Sequence, residues 1–93
     1  YYSISAQMKT MIDRCLAGGV AGGAQLKNKE FYFITTAADA PHAMERTMAD
    51  LQGFADCVPG AVVKGKVYGQ AFGVGEIRSK AAMQEAYTMG RNC

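Results

Sequence analysis

Apolar residues Ile4, Met8, Met11, Ile12, Cys15 and Leu16 recur at spacings of three and four, which gathers them on one face of a helix. Lys9 and Asp13, four apart, fall on the other face. Ser3 or Ser5 caps the first turn by accepting a free backbone N–H, and Gly18-Gly19 stops the helix. From Gly18 to Gly23 the chain is rich in glycine, and it stays polar to Lys29, which reads as a flexible connection. Phe31-Tyr32-Phe33-Ile34-Thr35-Thr36 is continuous and apolar rather than alternating, the pattern of a strand buried on both faces of a parallel sheet. The small residues Ala37 to Ala40 then lead to Pro41, suited to a first helical turn. Met44, Met48, Leu51, Ala55 and Val58, with Phe54 beside them, form the stripe of a second helix, and Glu45, Arg46 and Asp50 face outward.

Pro59-Gly60 breaks that helix. Ala61-Val62-Val63 with Val67-Tyr68 is a second strand, interrupted at Lys64-Gly65-Lys66 by a bulge or a bend. Gly69 to Ile77 is glycine-rich and reads as a loop at the same sheet edge. A last helix spans Lys80 to Arg91, capped by Ser79, with Ala82, Met83, Ala86, Tyr87 and Gly90 inward and Gln84, Glu85 and Arg91 outward. The order helix, strand, helix, strand, helix describes an α/β chain whose two parallel strands are joined by a right-handed crossover.

With 93 residues the chain makes one small domain with a thin core. Hydrophobic residues at 49% against 19% charged exclude disorder. A net charge of +2, spread without a basic run, argues against a nucleic-acid partner. No stretch has the length of a membrane span and the first residues lack the regions of a signal peptide, so a soluble cytoplasmic protein is expected. Cys15, Cys57 and Cys93 are odd in number and far apart, which predicts reduced thiols, Cys15 and Cys57 packing as small hydrophobes, and no metal site. The methionines that can be placed fit helix stripes, so core packing accounts for them.

Two places carry candidate chemistry. Tyr1, Tyr2 and Ser3 precede a helix N-terminus, where backbone donors and a partial positive charge favour an electron-rich or anionic ligand. Thr35, Thr36, Ala37, Ala38 and Asp39 lie at the C-terminal end of a parallel strand, where small residues let a flat ligand approach the backbone. The same residues equally suit a plain strand-to-helix turn with its cap. His42, the one histidine, reads as a solvated helix-start residue, since no serine, cysteine or aspartate arrangement beside it suggests a nucleophile or triad. No side chain stands out as a catalytic acid or base. Tyr68 and Phe72, at or after a strand end, read as packing residues.

Ser5, Gln7, Met8, Lys9, Ile12, Asp13 and Arg14 match the pattern Ser-x-Gln-Met-Lys-x-x-Ile-Asp-Arg, and in this the chain resembles the flavodoxin-like FMN proteins, in particular the NAD(P)H-dependent FMN reductase and multimeric flavodoxin group. Tyr68-Gly69, Gly75-Glu76-Ile77 and the closing Ala81 to Tyr87 helix with Gly90-Arg91 extend the resemblance. In that group the helix follows a Pro-x-Tyr type turn after the third strand, and this chain begins at the turn. The resemblance therefore implies a partial flavodoxin-like three-layer fold, residues 1–93 being the C-terminal portion of one domain, without the first three strands or the Ser/Thr/Gly-rich phosphate loop. It implies FMN as cofactor, with Tyr1, Tyr2 and Ser3 forming one wall beside the ring and Thr35 to Asp39 the other. NAD(P)H would be the electron donor to an unidentified acceptor. The edge of the Phe31–Thr36 strand, free of its third-strand neighbour, is expected to pair with the N-terminal half or with another copy in a homo-oligomer. A non-catalytic assembly module that no longer binds flavin is the alternative, and an electron-carrier flavodoxin fits less well because extended acidic surfaces are missing.

Overall fold

The computed structural model describes residues 1–17 and 26–93, and the side chains of residues 16 and 17 are not part of that description. The glycine-rich stretch from Gly18 to Gly23, with the expected helix stop at Gly18-Gly19, lies outside it. The elements are α1 (Ala6–Ala17), β1 (Glu30–Ala37), a 3-10 turn (Pro41–Met44) running into α2 (Glu45–Asp56), β2 (Val62–Gln70), a second 3-10 turn (Glu76–Ser79) and α3 (Ala81–Arg91). Ser5 caps α1, its Oγ accepting the Met8 N–H at 3.2 Å. Pro41 opens the turn ahead of α2, where a missing N–H costs nothing.

β1 and β2 pair in parallel as a two-stranded sheet. Phe33 packs with Met48, Leu51 and Ala55 in the core, and Phe31 meets the Phe54 ring edge-on at 5.6 Å. Met44 and Val58 are buried as well, so the stripe read for α2 is the stripe observed. On the opposite face α3 lies over β2. Gly65 leaves room for Met89 there, a Cβ at Gly65 falling 2.5 Å from its Sδ.

β1 is not covered on both faces as its continuous apolar run suggested: Ile34 is 55% exposed. Nor is the face of α1 uniformly inward. Ile4 and Ile12 reach the core, whereas Met8 and Met11 are exposed. Strands lie about 5 Å apart and a helix is about 10 Å wide, so two strands support one helix per face. α2 takes that place on one face and α1 overhangs it. The radius of gyration of 14.3 Å is correspondingly larger than the roughly 12 Å of a compact chain of this length.

Lys64-Gly65-Lys66 does not interrupt β2. Phe31 pairs with Val63 and Tyr32 with Gly65, so Lys64 is the extra residue of a bulge inside one continuous strand. Gly69 and Gln70 belong to this strand rather than to the loop after it, because the ladder runs on to Ala37 and Gln70. The closing helix differs too. Ser79 does not cap it, since its Oγ donates to the Glu76 carbonyl at 3.1 Å within the preceding turn. Met83 and Tyr87 are exposed, and the inward side is Ala82, Ala86 and Met89. Cys57 is exposed rather than packed, Cys15 is half-buried and Cys93 exposed, all three as free thiols. Among the described residues no helix is long and apolar enough to cross a membrane, and no cluster of His, Cys, Asp or Glu could hold a metal ion.

After β2 the chain turns through Phe72 to Glu76, and the Glu76 carboxylate closes this turn by accepting the Phe72 and Gly73 N–H groups. Those donors, the Phe72 N–H foremost, hold its pKa below the ordinary glutamate value, with Lys80 adding a smaller pull in the same direction. A carboxyl whose folded pKa is depressed stabilises the turn above its unfolded pKa, near 4.3, and loses that contribution as pH falls through the folded value. The Phe72 and Gly73 amide resonances are expected to titrate together in this acid range, and Glu76→Gln to abolish the transition. A shared midpoint at or above the ordinary glutamate value would contradict the assignment.

Met48, 3% exposed in the core cluster, and Met11, 49% exposed on α1, test the packing directly. Met48→Ala is expected to lower the unfolding free energy by about 3 kcal/mol. Met11→Ala is expected to change it by less than about 0.5 kcal/mol. Urea unfolding compares the two, and equal losses would mean that α1 packs as closely as α2.

Candidate functional site

At the C-terminal ends of β1 and β2 the chain forms a pocket of about 320 Å³ lined by Thr36, Ala37, Ala38, Ala71, Gly73 and Ile77. The parallel ladder creates it by ending both strands at the same level, and the Ala37 carbonyl fastens the rim by accepting the Ala71 N–H at 3.0 Å. Since the Ala37 backbone faces β2, strand alternation turns the N–H and C=O of Thr36 toward the opposite edge of β1. No described strand pairs with that edge. Small side chains, an accessible backbone and an unpaired donor and acceptor therefore meet at one point.

The predicted residues of this loop have different surroundings. Thr36, Ala38 and Asp39 are exposed and Ala37 is half-buried. Thr35 is 4% exposed, and its Oγ1 is buried without a hydrogen-bond partner among the described residues. Thr35 thus turns its side chain into the interior, below the exposed Thr36 and Ala38. Asp39 Oδ1 accepts the Ala40 N–H at 2.7 Å, the local bond with which an aspartate builds a turn. His42 is exposed in the 3-10 turn that follows.

Tyr1, Tyr2 and Ser3 are not among the residues that line this pocket. Ser3 borders an open, mainly apolar groove of about 950 Å³ between α1 and α2, whose wall includes Ile4, Ile12, Phe54 and Val58. This groove and the strand-end pocket share no residue. Both tyrosines are exposed. Tyr2 has a φ of 62°, a left-handed conformation that costs a non-glycine residue roughly 1–2 kcal/mol. It is held beside α2, where Asp50 Oδ2 accepts the Ser3 hydroxyl at 2.6 Å and the Ile4 N–H at 3.5 Å.

Four participants were not legible as such in the chain. Asp50 faces solvent in the helix pattern, and its partners lie in a distant segment, so no local spacing points to it. Ala71 and Gly73 reach the pocket because β2 extends to Gln70, which the glycines concealed. Ile77 is placed by the turn that Glu76 closes, and a glutamate three residues after a glycine was the available sign of it.

The strand-end residues suit the ring portion of a flavin. An isoalloxazine is flat and apolar with one polar edge, and Ala37, Ala38 and the free Thr36 backbone offer the matching surface. Neither the search of curated proteins nor that of solved structures gives a match. The family model described as NADPH-dependent FMN reductase matches residues 1–74, which include α1, β1, α2, β2 and the start of the loop beyond. This is a family of flavodoxin-like, FMN-binding oxidoreductases that use NAD(P)H, and the helix order, the parallel pairing and the small-residue strand end all agree with it. On that match the chain belongs to the NADPH-dependent FMN reductase family.

Proposed function

We propose that this chain is the C-terminal portion of an NAD(P)H-dependent FMN oxidoreductase and supplies the ring side of its flavin site. The observation that carries the reading is the end of β1, where among the described residues no strand pairs with the Thr36 backbone beside the small Ala37 and Ala38. When bound, FMN supplies the hydride and electron transfer. The chain's part is placement. Thr36 to Asp39 support one side of the ring through the backbone, Thr35 holds that loop from the core, and Tyr1, Tyr2 and Ser3 form a second wall. None of these side chains acts as an acid or base, which hydride transfer does not require of the protein.

The open edge of β1 and the exposed Ile34 support a further part of the proposal: a third strand pairs there, from the N-terminal half of the domain or from another copy. Free thiols at Cys15, Cys57 and Cys93 accord with the reducing cytoplasm in which NAD(P)H is available.

The test uses the full chain, with its N-terminal half where the two occur together. FMN binding is followed by fluorescence and NADPH oxidation by absorbance. Ala38 is exposed, so Ala38→Leu is expected to leave the fold intact while obstructing the ring and weakening FMN by about tenfold. Wild-type affinity in Ala38→Leu would remove the strand end from the site. A protein that binds no FMN in either form would favour a non-catalytic assembly module.

A further inference from the structure

The geometry points to Asp50 as the positioning residue that fixes the Tyr1-Tyr2-Ser3 turn and ties it to the helix that follows the strand-end loop. This inference rests on the flavin reading above and deepens it. Tyr2 occupies the left-handed region at φ 62° without being a glycine, a conformation that persists only where its surroundings impose it. Ile4 is packed against the core, and one carboxylate supplies the polar restraint. Asp50 Oδ2 accepts the Ser3 hydroxyl at 2.6 Å, the short distance of a charge-assisted bond, and the Ile4 N–H at 3.5 Å. The two donors immediately follow Tyr2, so they define the direction in which the chain leaves it.

Asp50 is well placed as an anchor. It lies on α2 between Met48 and Leu51, both buried in the core, so its backbone does not yield to the turn. Among the described residues it makes no ion pair, and Ser3 and Ile4 are its partners. α2 also continues directly from the Pro41–Met44 turn, and hence from the Ala37–Ala40 loop. Both proposed walls of the flavin site are thus fastened to one helix, the strand-end loop through the chain and the tyrosine turn through Asp50. The groove and the strand-end pocket share no residue, and this tether, together with the packing of Ile4 on the core, relates one wall to the other.

Two measurements on the full chain test the assignment. In the flavin-free protein, the φ of Tyr2 is read from its HN–Hα coupling and intraresidue HN–Hα NOE. Asp50→Ala and Ser3→Ala are each expected to release Tyr2 from the left-handed region, whereas Asp50→Asn, which retains an acceptor oxygen, is expected to keep it there. In titrations with FMN, Asp50→Ala and Ser3→Ala should each weaken binding by about five- to tenfold, with the double variant no weaker than either single one. Asp50→Asn should recover most of the affinity, a rescue that a general loss of packing would not produce. A Tyr2 that stays left-handed in Asp50→Ala, or additive losses in the double variant, would overturn the inference. Wild-type protein that binds no FMN would refute the flavin reading, and the Tyr2 conformation would then decide the role of Asp50 by itself.

Discussion

Two parallel strands support one helix on each face, and the rest of the molecule follows from that width. Phe31 and Phe33 on β1 give α2 its apolar seat, which is why the buried Met48 and Leu51 belong to α2 and the buried Met44 to the turn that leads into it. α1 is left to reach the core through Ile4 and Ile12, and a long groove remains between the two helices. On the other face α3 covers β2 and Ile34 stays in solvent. A small core set by sheet width leaves little margin of stability, so each buried side chain of α2 carries a large share of it.

The same narrowness explains how a binding edge coexists with a modest core. Parallel strands that end together expose their last backbone groups at one rim, and sheets of this type bind ligands there. Thr36, Ala37 and Ala38 lie on that rim because Thr35, one residue earlier, is turned into the interior. Asp39 closes the run with a local turn bond, and Pro41 starts the chain back along the sheet.

Where one element alone dictates the outcome, the sequence was a good guide. The α2 stripe is legible because each of its positions meets the same neighbour, and the Ser5 cap because it is satisfied within one turn. The strand-to-helix loop follows from local chemistry as well. Where the outcome depends on what lies opposite, it was not legible. Met8 and Met11 have the helical spacing of core residues and lack a sheet beneath them; Met83 and Tyr87 fall on an uncovered side of α3. The interruption at Lys64-Gly65-Lys66 reads as a bulge or a bend, and the pairing of β2 against β1 decides for a bulge at Lys64. Asp50 is the plainest case: its meaning lies in a hydrogen bond to Ser3, 47 positions away.

That bulge also resets the two sides of β2. Were Lys64 an ordinary paired residue, the strand would run in strict alternation, and Val63 and Tyr68, five positions apart, would point to opposite faces. With it, both lean toward the Phe33 cluster, while Gly65 and Gly69 present bare backbone to Met89 and Ile77. One inserted residue acts as a parity switch. Deleting Lys64 alone would leave Val63 and Gly65 opposite Phe31 and Tyr32 and both halves of the strand on their present faces, whereas forcing Lys64 into the ladder would turn the outer half over. Sequences of this type aligned by hydrophobic alternation alone would place the strand-end pocket on the wrong face of the sheet.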